Sequence, residues 1–445
     1  ILPLNSPTAR SSFLHLIKLG FKSYGLRLFI TQATQTIDDR LNSIQNSNLL
    51  QYVRETTNII AKEIEEKVKL FFTLFHDEHY IAEIINWVNA TIERKIPLNR
   101  PQLFIGNFNL IPDAISIMRK NFSILEPYGI SSLFLFDMYQ NYLFDIIDYA
   151  KMNSRKEIIE AINADDWCIN LDGVRTADPT QYPLSNSFQH FRVTVSNFLH
   201  EMKSLNYPTL FYAFSSSLRE IILSYSEACE MLLRVEQKAQ VFCSMILQLI
   251  CINTLLLPTI LKEFEEITGR PHPDEEHILA FNNRSITSIT HGLVQAYVTH
   301  MSTYFKLLQI QWTSMEEIDE FFQEAAFGLH QFLTKLALPQ AMADEVTNLI
   351  IEHVLVIAET AGDNIRQPFE LNSFDFHWGY LGRVIENLIP REVSEKYKQG
   401  LETVSNNIAI DSKIQDSDRA TYKNISKAIN NAIKNTEDFD SYKFV

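Results

Sequence analysis

Helical periodicity of apolar residues runs along almost the whole chain and is the feature that most restricts its fold. Ile60, Ile64, Val68, Phe71 and Phe75 fall within one narrow stripe when residues are placed at roughly 100° intervals. The same spacing recurs in segments 115–122, 133–149, 188–199, 210–233, 289–311, 318–338 and 346–358. Alternation of period two is nowhere sustained, so the sequence predicts helices and no sheet.

Each of these helices is expected to bury one face and to expose the other. In the segment around Ile64, five charged residues lie opposite the apolar stripe and are predicted to face water: Lys62, Glu63, Glu65, Glu66 and Lys69. Lys67 lies at the margin of the stripe, where its stem can cover apolar surface while its ammonium stays in water.

Turns are rare in this chain, because 445 residues include only 12 Gly and 15 Pro. Those two residue types together usually make up roughly 12% of a protein, so the sequence predicts long helices with few connections. The length exceeds the ~250–300 residues at which a single core stops growing. No repeat of fixed period is found. We therefore predict an all-α fold of stacked helical bundles that form an elongated rod.

The clusters of Pro and Gly divide the chain into three predicted segments. A helical bundle is expected over 1–171, a second over 184–288, and a C-terminal bundle with a polar tail over 289–445. The turn-rich stretch 172–183 is the predicted joint between bundles, and shorter breaks occur at 96–101 and 268–273. The first residue is Ile, which predicts that the sequence is a piece of a longer polypeptide.

The formal net charge of −15 argues against a surface that binds nucleic acid or an anionic membrane. A local basic patch can nevertheless form in three dimensions. Residues 239–261 contain no charge and are long enough to span a bilayer. Gln240, Gln248, Asn253 and Pro258 interrupt this segment, and no Lys/Arg asymmetry flanks it. We therefore predict a buried core helix there.

The four cysteines, Cys168, Cys229, Cys243 and Cys251, show no paired spacing. The last three lie in apolar helical stretches. A free cysteine in such a position behaves as a small hydrophobic residue. This usage predicts a reducing compartment, the cytosol, without disulfides.

A search for catalytic motifs gives little. The chain lacks G-x-S-x-G, G-x-x-x-x-G-K-[ST], G-x-G-x-x-G, H-E-x-x-H and C-x-x-C. The nearest approach to a metal site is His76 with His79, but zinc would need further ligands from elsewhere. Three carboxylate pairs are interpreted as solvated surface: Asp165/Asp166, Glu265/Glu266 and Glu316/Glu317. We predict no catalytic, cofactor-binding or metal-binding residue, and therefore no enzyme.

Two segments each allow two interpretations. Residues 313–334 hold several acids and no Lys or Arg. They are either a helix start capped by Ser314 with Glu317 as its partner, or an acidic patch for a basic partner. Residues 374–380 are unusually aromatic for a loop, and they either pack the last helices together or form a hot spot. The tryptophans are expected to pack in cores or joints: Trp87, Trp167, Trp312 and Trp378.

Several short strings resemble the family of exocyst complex component eight, the 84-kilodalton exocyst subunit, in its C-terminal helical region. They are the glycine-leucine-arginine string at 25–30, the tryptophan-containing string at 86–93, and the leucine-to-glycine junction at 125–130. A longer series follows at 236–239, 257–258 and 264–271. The resemblance covers roughly residues 20 to 285, and residues 290–445 match nothing recognisable.

The resemblance implies a non-catalytic subunit of a complex that tethers secretory vesicles at the plasma membrane before fusion. It implies stacked helical bundles, as in other multisubunit tethering complexes, and no catalytic residue or cofactor. The implied partners are other exocyst subunits, small GTPases and SNARE machinery. The acidic charge balance predicts no nucleic-acid partner and only indirect membrane contact. The implied location is the cytoplasm, at the plasma membrane or on secretory vesicles.

Two alternatives remain open from the sequence. One is a subunit of a Golgi or endosomal tethering complex, whose composition would be much the same. The other is a helical regulatory module for small GTPases, which usually supplies an arginine finger. Arg119, Arg219 and Arg366 are candidates for that role, although nothing in the sequence singles out one of them.

Overall fold

The chain is predominantly helical in the residues that the computed structural model describes. The described residues are 7–44, 48–75, 80–130, 134–167, 169–176, 178–205, 207–234, 238–307, 312, 315 and 317–435. Within these ranges there is no β-strand. The predicted all-α, helical-bundle fold class is therefore confirmed.

The helices occupy most of the segments that the apolar periodicity predicts. In chain order they are α1 (Pro7–Lys18), α2 (Lys22–Leu41), α3 (Leu49–Leu74), α4 (Ile81–Lys95), α5 (Ile111–Phe122), α6 (Phe134–Ala164), α7 (Asn186–Ser204), α8 (Phe211–Leu232), α9 (Ala239–Cys251), α10 (Leu257–Thr268), α11 (Glu275–Leu307), α12 (Glu320–Lys335), α13 (Gln340–Gly362), α14 (Pro368–Ile385), α15 (Arg391–Asp411) and α16 (Tyr422–Asn435). Short 3₁₀ turns lie between several of them, and a π-helical stretch, Ile252–Leu256, connects α9 to α10.

The chain divides into two compact units. The first unit comprises Ile1–Ile159, Phe191–Ser224 and Ile260–Glu275. The second comprises Glu160–His190, Tyr225–Thr259 and Glu276–Val445. These units are defined by spatial contacts, whereas the segments 1–171, 184–288 and 289–445 were predicted from turn-forming residues, and those segments stay a prediction.

Helix α3 is the centre of the N-terminal part of the first unit. It contacts α1, α2, α4 and α5. An aromatic cluster lies at its C-terminal end: the ring centroids of Phe13 and Phe29 are 5.9 Å apart, and those of Phe71 and Phe75 are stacked at 5.1 Å. Phe29 joins the two pairs, with its ring 6.3 Å from that of Phe71. The predicted apolar stripe of α3 is confirmed, since all five of its members are buried.

Two predictions for the charged side of α3 are wrong. Glu63 is fully buried rather than solvated, and Lys67 is buried with its ammonium instead of reaching water. Lys67 Nζ lies 3.3 Å from Glu63 Oε2, and Arg40 from α2 pairs with Glu63 Oε1. Helices pack on more than one side of α3, so its charged flank is enclosed and the charges neutralise one another there.

The uncharged segment 239–261 forms α9 and the start of α10. In the described part of the chain, Ala239–Thr268 is long and apolar enough to cross a membrane, and 67% of its most apolar window is buried inside the protein. Every residue from Val241 to Leu249 is buried. Gln248 Nε2 donates to the carbonyl oxygen of Pro183 at 2.9 Å. These contacts are those expected of a core helix in the second unit.

The C-terminal helices of the second unit approach each other closely at glycines. A Cβ atom on Gly382 of α14 would lie 2.3 Å from the ring of Tyr397 on α15. A Cβ on Gly362 of α13 would lie 2.2 Å from Ile408. Because real Cβ atoms do not approach carbon that closely, only glycine allows this packing without a shift of the neighbouring helix.

The aromatic run at 374–380 is part of helix α14, so its interpretation as a loop is wrong. Phe374, Phe376, Trp378 and Tyr380 are all buried. Phe322 of α12 packs edge-on against Trp378, with ring centroids 5.3 Å apart. Of the two interpretations, packing between the last helices is therefore the correct one. All the tryptophans are buried, as predicted: Trp87, Trp167, Trp312 and Trp378.

The predicted helix start at Ser314 is also corrected. Ser314 and Glu316 lie outside the described residues, and Glu317 lies before the helix rather than within it. Helix α12 begins at Glu320, with Asp319 as its N-cap accepting from the N–H of Phe321 at 2.9 Å. At the other end, Arg175 donates to the carbonyl oxygens of Leu333 and Leu336, which satisfies terminal acceptors of the helix.

A buried histidine links α14 to the start of α12. His377 Nδ1–H donates to the carbonyl oxygen of Ser373 at 2.7 Å, and Nε2 accepts from the N–H of Asp319 at 3.1 Å. Both bonds require the neutral ring, because a protonated Nε2 cannot accept. Burial lowers the pKa of His377 below its ordinary value near 6.5, although the bond to Ser373 and the charge of Asp319 oppose this.

This arrangement predicts an acid-sensitive second unit. The unfolded histidine binds a proton more readily than the folded one, so its contribution to stability is present above about pH 6.5 and is lost as the pH falls towards the lowered pKa. We expect hydrogen exchange in α12 and α14 to accelerate between about pH 7.5 and about pH 5, after correction for intrinsic rates. His377→Gln keeps an acceptor for Asp319 and should remove much of this pH dependence; an unchanged profile would contradict the prediction.

Candidate interaction surface

The carboxylate pairs found in the sequence do not form an acid–base site. Glu265, Glu266 and Glu317 are exposed, as predicted, and Glu316 lies outside the described residues. Asp165 differs from the prediction because it is half-buried. Its Oδ1 accepts from the N–H of Trp167 at 3.0 Å, and its Oδ2 accepts from the N–H of Ser187 at 2.7 Å, near the start of α7. Asp165 therefore anchors two backbone segments.

The metal and thiol candidates give no reactive centre in the described residues. Residues 76–79 lie outside that part of the chain, and the described side chains include no group of three or more suitable metal ligands. Cys229, Cys243 and Cys251 are free and buried. Burial raises the pKa of Cys243 and of Cys251 to about 11, and that of Cys229 further, so these thiols stay protonated at neutral pH. Cys168 is not among the described residues.

A groove of about 740 Å³ lies among α14, α15 and α16. Its polar side chains bond to one another: Arg419 donates to Ser405 Oγ and to Asn406 Oδ1, each at 2.7 Å, and lies 3.7 Å from Asp375 Oδ2. Burial raises the pKa of Asp375 even though Ser405 and Arg419 oppose the shift. This network ties the α15–α16 connection to α14, which is a structural role.

The outer side of α6 carries several large exposed apolar side chains. Phe144, Tyr149 and Met152 are exposed there, and Met152 retains 61% of its accessible surface. Asp145 and Asp148 lie among them on the same side of the helix and are also exposed. We call these five residues the α6 stripe. Large apolar side chains with a polar border are typical of surfaces that bind other proteins.

The rest of α6 holds the stripe in place. Ile146, Ile147 and Ala150 are buried on the opposite side of the helix. Tyr142 Oη donates to the backbone carbonyl oxygen of Glu93 at the end of α4, at 3.0 Å. Because one side of α6 is fixed against the core, the stripe is a preorganised surface that needs no rearrangement before binding.

An ion network borders the α6 stripe. Lys151 Nζ lies 2.6 Å from Asp148 Oδ1 and 3.3 Å from Glu220 Oε2 of α8, and Arg155 Nη1 lies 3.1 Å from the same Glu220 oxygen. Asp145 adds a further acidic group on the exposed side. The stripe therefore combines apolar contact area with carboxylates, which suits a partner segment that carries apolar and basic side chains.

Sequence reasoning predicted α6 as an amphipathic helix but did not identify the stripe. The signal was present in the spacing: Phe144, Tyr149 and Met152 fall outside the buried set that contains Leu143, Ile146 and Ile147. An apolar residue away from the main stripe is common on protein surfaces, so each one alone carries little information. Only their joint exposure on one side of a fixed helix indicates an interaction surface.

The N-terminal part of the chain matches a known family. The profile described as exocyst component 84 C-terminal matches residues 4–131. The match is limited to this N-terminal segment. The predicted family is confirmed for this segment, which includes α1–α5. A search among curated proteins finds no match to the chain.

Three of the strings that resembled the exocyst component 84 family lie inside the matched segment, and the structure shows their roles. At 25–30, Leu26 and Phe29 of α2 are buried in the first unit. At 86–93, Trp87 Nε1 donates to Thr34 Oγ1 at 3.0 Å and joins α4 to α2. At 125–130, Gly129 adopts φ +75°, which ends a 3₁₀ segment. The series at 236–271 lies outside the match and stays a prediction.

The match over residues 4–131 supports an exocyst subunit role. An exocyst subunit is a non-catalytic tethering component that assembles with the other subunits of its complex. The family also suggests a cytoplasmic complex associated with vesicles and the plasma membrane.

Proposed function

We propose that this chain is a non-catalytic part of an exocyst subunit that holds secretory vesicles at the plasma membrane before membrane fusion. The observation that carries the proposal is the family match over residues 4–131. The helical architecture of the described chain is consistent with a protein that works through lateral contacts.

The ionisable groups buried in the structure support a structural role. Glu63 and Lys67 neutralise each other in the first unit, and His377 is held neutral by two backbone partners in the second. His272 is similarly fixed, with its Nε2 3.0 Å from the carbonyl oxygen of Ser215. Each of these groups is bound to another part of the protein, whereas an acid–base catalyst must face a substrate.

The proposed partners are the other exocyst subunits, and the α6 stripe is the proposed contact for one of them. Stable subunit contacts bury more than ~2,000 Å², so the stripe would be the centre of a larger interface. Contacts with small GTPases and SNARE machinery, and a peripheral position at the plasma membrane or on secretory vesicles, are part of the same proposal. The segments 1–171, 184–288 and 289–445 are proposed as its folding units.

The decisive experiment is affinity purification of the tagged full-length protein from its own cells, with identification of the bound subunits by mass spectrometry. Recovery of the other exocyst subunits in near-equal amounts would establish the proposed function. Recovery of a Golgi or endosomal tethering set would move the site of action and replace the proposal. Recovery of neither set would reject the tethering function.

The third candidate function, a regulatory module for small GTPases, is tested by a GTP-hydrolysis assay with Rab and Rho proteins. Arg219 already pairs with Asp274 at 3.2 Å, and Arg366 donates to the carbonyl oxygen of Ile365 at 2.8 Å. Arg119 is exposed on α5. An arginine finger raises hydrolysis by ~10³-fold or more. We expect no such increase.

The α6 stripe makes a specific prediction within this proposal. Tyr149→Ala with Met152→Ala should lower the recovery of at least one exocyst subunit by about tenfold or more, since truncation of two hot-spot residues typically costs over ~1 kcal/mol each. The matched control is Tyr212→Ala, which removes an exposed aromatic side chain from α8 of the same unit. Unchanged recovery with the stripe variant would remove the stripe from the interface without affecting the family assignment.

A further inference from the structure

The turn between α1 and α2 is a rigid corner with a defined hydrogen-bond pattern. The N–H of Phe21 donates to the carbonyl oxygen of Leu16 at 3.0 Å, and the N–H of Gly20 donates to that of Ile17 at 3.1 Å. Gly20 adopts φ +84°. This combination is a Schellman motif, which ends α1 and fixes the direction in which α2 leaves.

Three large apolar side chains project from this corner into solvent. Leu19 is 69% exposed, Phe21 is 58% exposed and Tyr24 is 62% exposed. We call residues 18–24 the α1–α2 corner. Single exposed apolar side chains are common on protein surfaces. Three within six residues at one turn form an apolar patch, which is typical of an interaction site.

The patch is separate from the core beneath it. Phe13 and Phe29, which lie on α1 and α2, are buried in the aromatic cluster of the first unit. They already supply the apolar contacts that hold the two helices together. The exposed side chains of the α1–α2 corner are therefore additional to what the packing of α1 and α2 requires.

The charge around the α1–α2 corner is opposite to that of the whole chain. Residues 1–37 include Arg10, Lys18, Lys22 and Arg27 and no Asp or Glu, although the chain has a formal net charge of −15. Lys18 and Lys22 are exposed and stand directly beside Leu19 and Phe21. A local basic patch of this kind is hidden when charge is summed over the full sequence.

We propose that the α1–α2 corner binds the surface of a bilayer that contains anionic lipids. Leu19, Phe21 and Tyr24 enter the boundary between headgroups and acyl chains, where aromatic side chains are favoured. Lys18 remains at the level of the lipid phosphates, because its long stem lets the ammonium group stay in the headgroup layer.

The shape and charge of the α1–α2 corner favour a membrane over a protein partner. The apolar side chains lie at a tight turn between two helices, and they are exposed for insertion into a deformable lipid layer. The α6 stripe differs, since its apolar residues lie along one helix and are interleaved with Asp145 and Asp148. Carboxylates at such a position would oppose contact with anionic lipid, and the corner has none in sequence on either side.

This inference goes beyond the proposed tethering function and revises the expectation, drawn from net charge, that membrane contact is indirect. It would give the subunit its own contact with a lipid surface. The tethering function does not depend on it, because subunit recovery in the affinity purification is measured separately.

Vesicle sedimentation of the purified chain tests the proposal. The probes are phosphatidylcholine vesicles with and without about one third phosphatidylserine. We expect binding only to the anionic vesicles, and weaker binding when salt rises from about 0.1 M to about 0.5 M. Lys18→Ala should weaken binding by about fivefold, since a cation near such a surface contributes roughly that much. Leu19→Ser with Phe21→Ser should weaken it at least as much.

Matched controls separate the corner from general surface effects. Lys262→Ala removes an exposed lysine from α10, and Tyr212→Ser removes an exposed aromatic side chain from α8. Both should bind as the unchanged protein does. Equal binding by the corner variants and these controls would overturn the proposal, as would equal binding to neutral vesicles or no binding at all.

A second measurement tests the proposal even if the variants of the α1–α2 corner fold poorly. Phe21→Trp is a conservative change at an exposed site, and its added fluorescence should shift to the blue with anionic vesicles and be quenched by brominated lipid. An unshifted spectrum in the presence of these vesicles would overturn the proposal. Loss of a partner subunit by the corner variants, together with no vesicle binding by the unchanged protein, would also overturn the proposal.

Discussion

Glu63→Ala is expected to lower the stability of the first unit by about 3–5 kcal/mol, which is the usual effect of removing one member of a buried ion pair. The substitution leaves the ammonium of Lys67 buried without the carboxylate that lies 3.3 Å from it. Arg40 loses the same partner, but its side chain is largely exposed and can turn to water. The penalty therefore arises mainly from Lys67, which is enclosed by the packing of α3.

Replacement of both charges should restore most of this loss. The carboxylate oxygens of Glu63 pair with the two cations without a well-directed hydrogen bond to the described residues. A pair of this kind recovers little of the free energy spent on removing its charges from water. Glu63→Leu with Lys67→Met should accordingly be close to the unchanged protein in stability, or more stable, if the two apolar side chains fill the same volume.

Hydrogen exchange followed by mass spectrometry is the appropriate measurement, because a chain with two units does not unfold as one two-state system. Peptides from α3 should lose protection in Glu63→Ala and regain it in the double variant, while peptides from α14 serve as an internal reference. The exposed pair of Lys69 and Glu65 on the same helix supplies the control, and Glu65→Ala should have a much smaller effect. Equal effects of Glu63→Ala and Glu65→Ala would show that the buried ion pair contributes no more to stability than the exposed one.

Gly382→Ala is expected to destabilise the second unit by about 2 kcal/mol. Alanine favours the helix by ~1 kcal/mol over glycine, so the loss must come from overpacking, which costs typically ~1–3 kcal/mol and occasionally more. The new methyl group would lie 2.3 Å and 2.8 Å from two carbons of the Tyr397 ring. That ring is buried, and its hydroxyl donates to the carbonyl oxygen of Trp378 at 2.8 Å, so it cannot move aside cheaply.

Gly328→Ala is the matched control, and the two variants should differ in sign. Gly328 also lies inside a helix of the second unit, α12, but no described atom lies within 4 Å of its potential Cβ. Alanine there should stabilise by about 0.5–1 kcal/mol. Urea denaturation and hydrogen exchange of α14 and α15 would measure both changes. Gly382→Ala combined with Tyr397→Leu should lose less than the sum of the single changes, and strict additivity would reject the steric explanation.

The periodic apolar residues of α3 show what can be predicted from the sequence. Ile60, Ile64 and Val68 are buried as expected. A helix that buries one face buries its most apolar face, because this removes the most apolar surface from water. The burial of Glu63 could not be predicted in the same way. The periodicity argument assumes one buried face, whereas α3 is contacted by α1, α2, α4 and α5.

The secondary structure of residues 374–380 was predicted wrongly from the sequence. They were interpreted as an unusually aromatic loop, but all of them lie in α14. The glycines there serve helix–helix contact rather than a turn, as the distance between Gly382 and Tyr397 shows. A single sequence does not distinguish these two uses of glycine, because both depend on what lies next to the missing side chain.

The candidate surfaces also depended on three-dimensional information. The α6 stripe and the α1–α2 corner consist of ordinary apolar and charged residues without a motif. The absence of acids in residues 1–37 was readable from the sequence, but its meaning depends on Leu19, Phe21 and Tyr24 being exposed at a fixed turn. Net charge over the full chain pointed away from such a surface, since it averages over distances much longer than the ~10 Å range of electrostatic interactions in salt.

The sequence by itself determined that this protein is helical, that its apolar faces form cores, and that its N-terminal part matches the exocyst component 84 C-terminal profile. These properties follow from local spacing and local strings, which each helix carries independently of its neighbours. Only the tertiary structure decided which charges are buried and which apolar side chains remain in solvent. Burial is a property of the space between helices, and that space is set by every segment that packs against a residue.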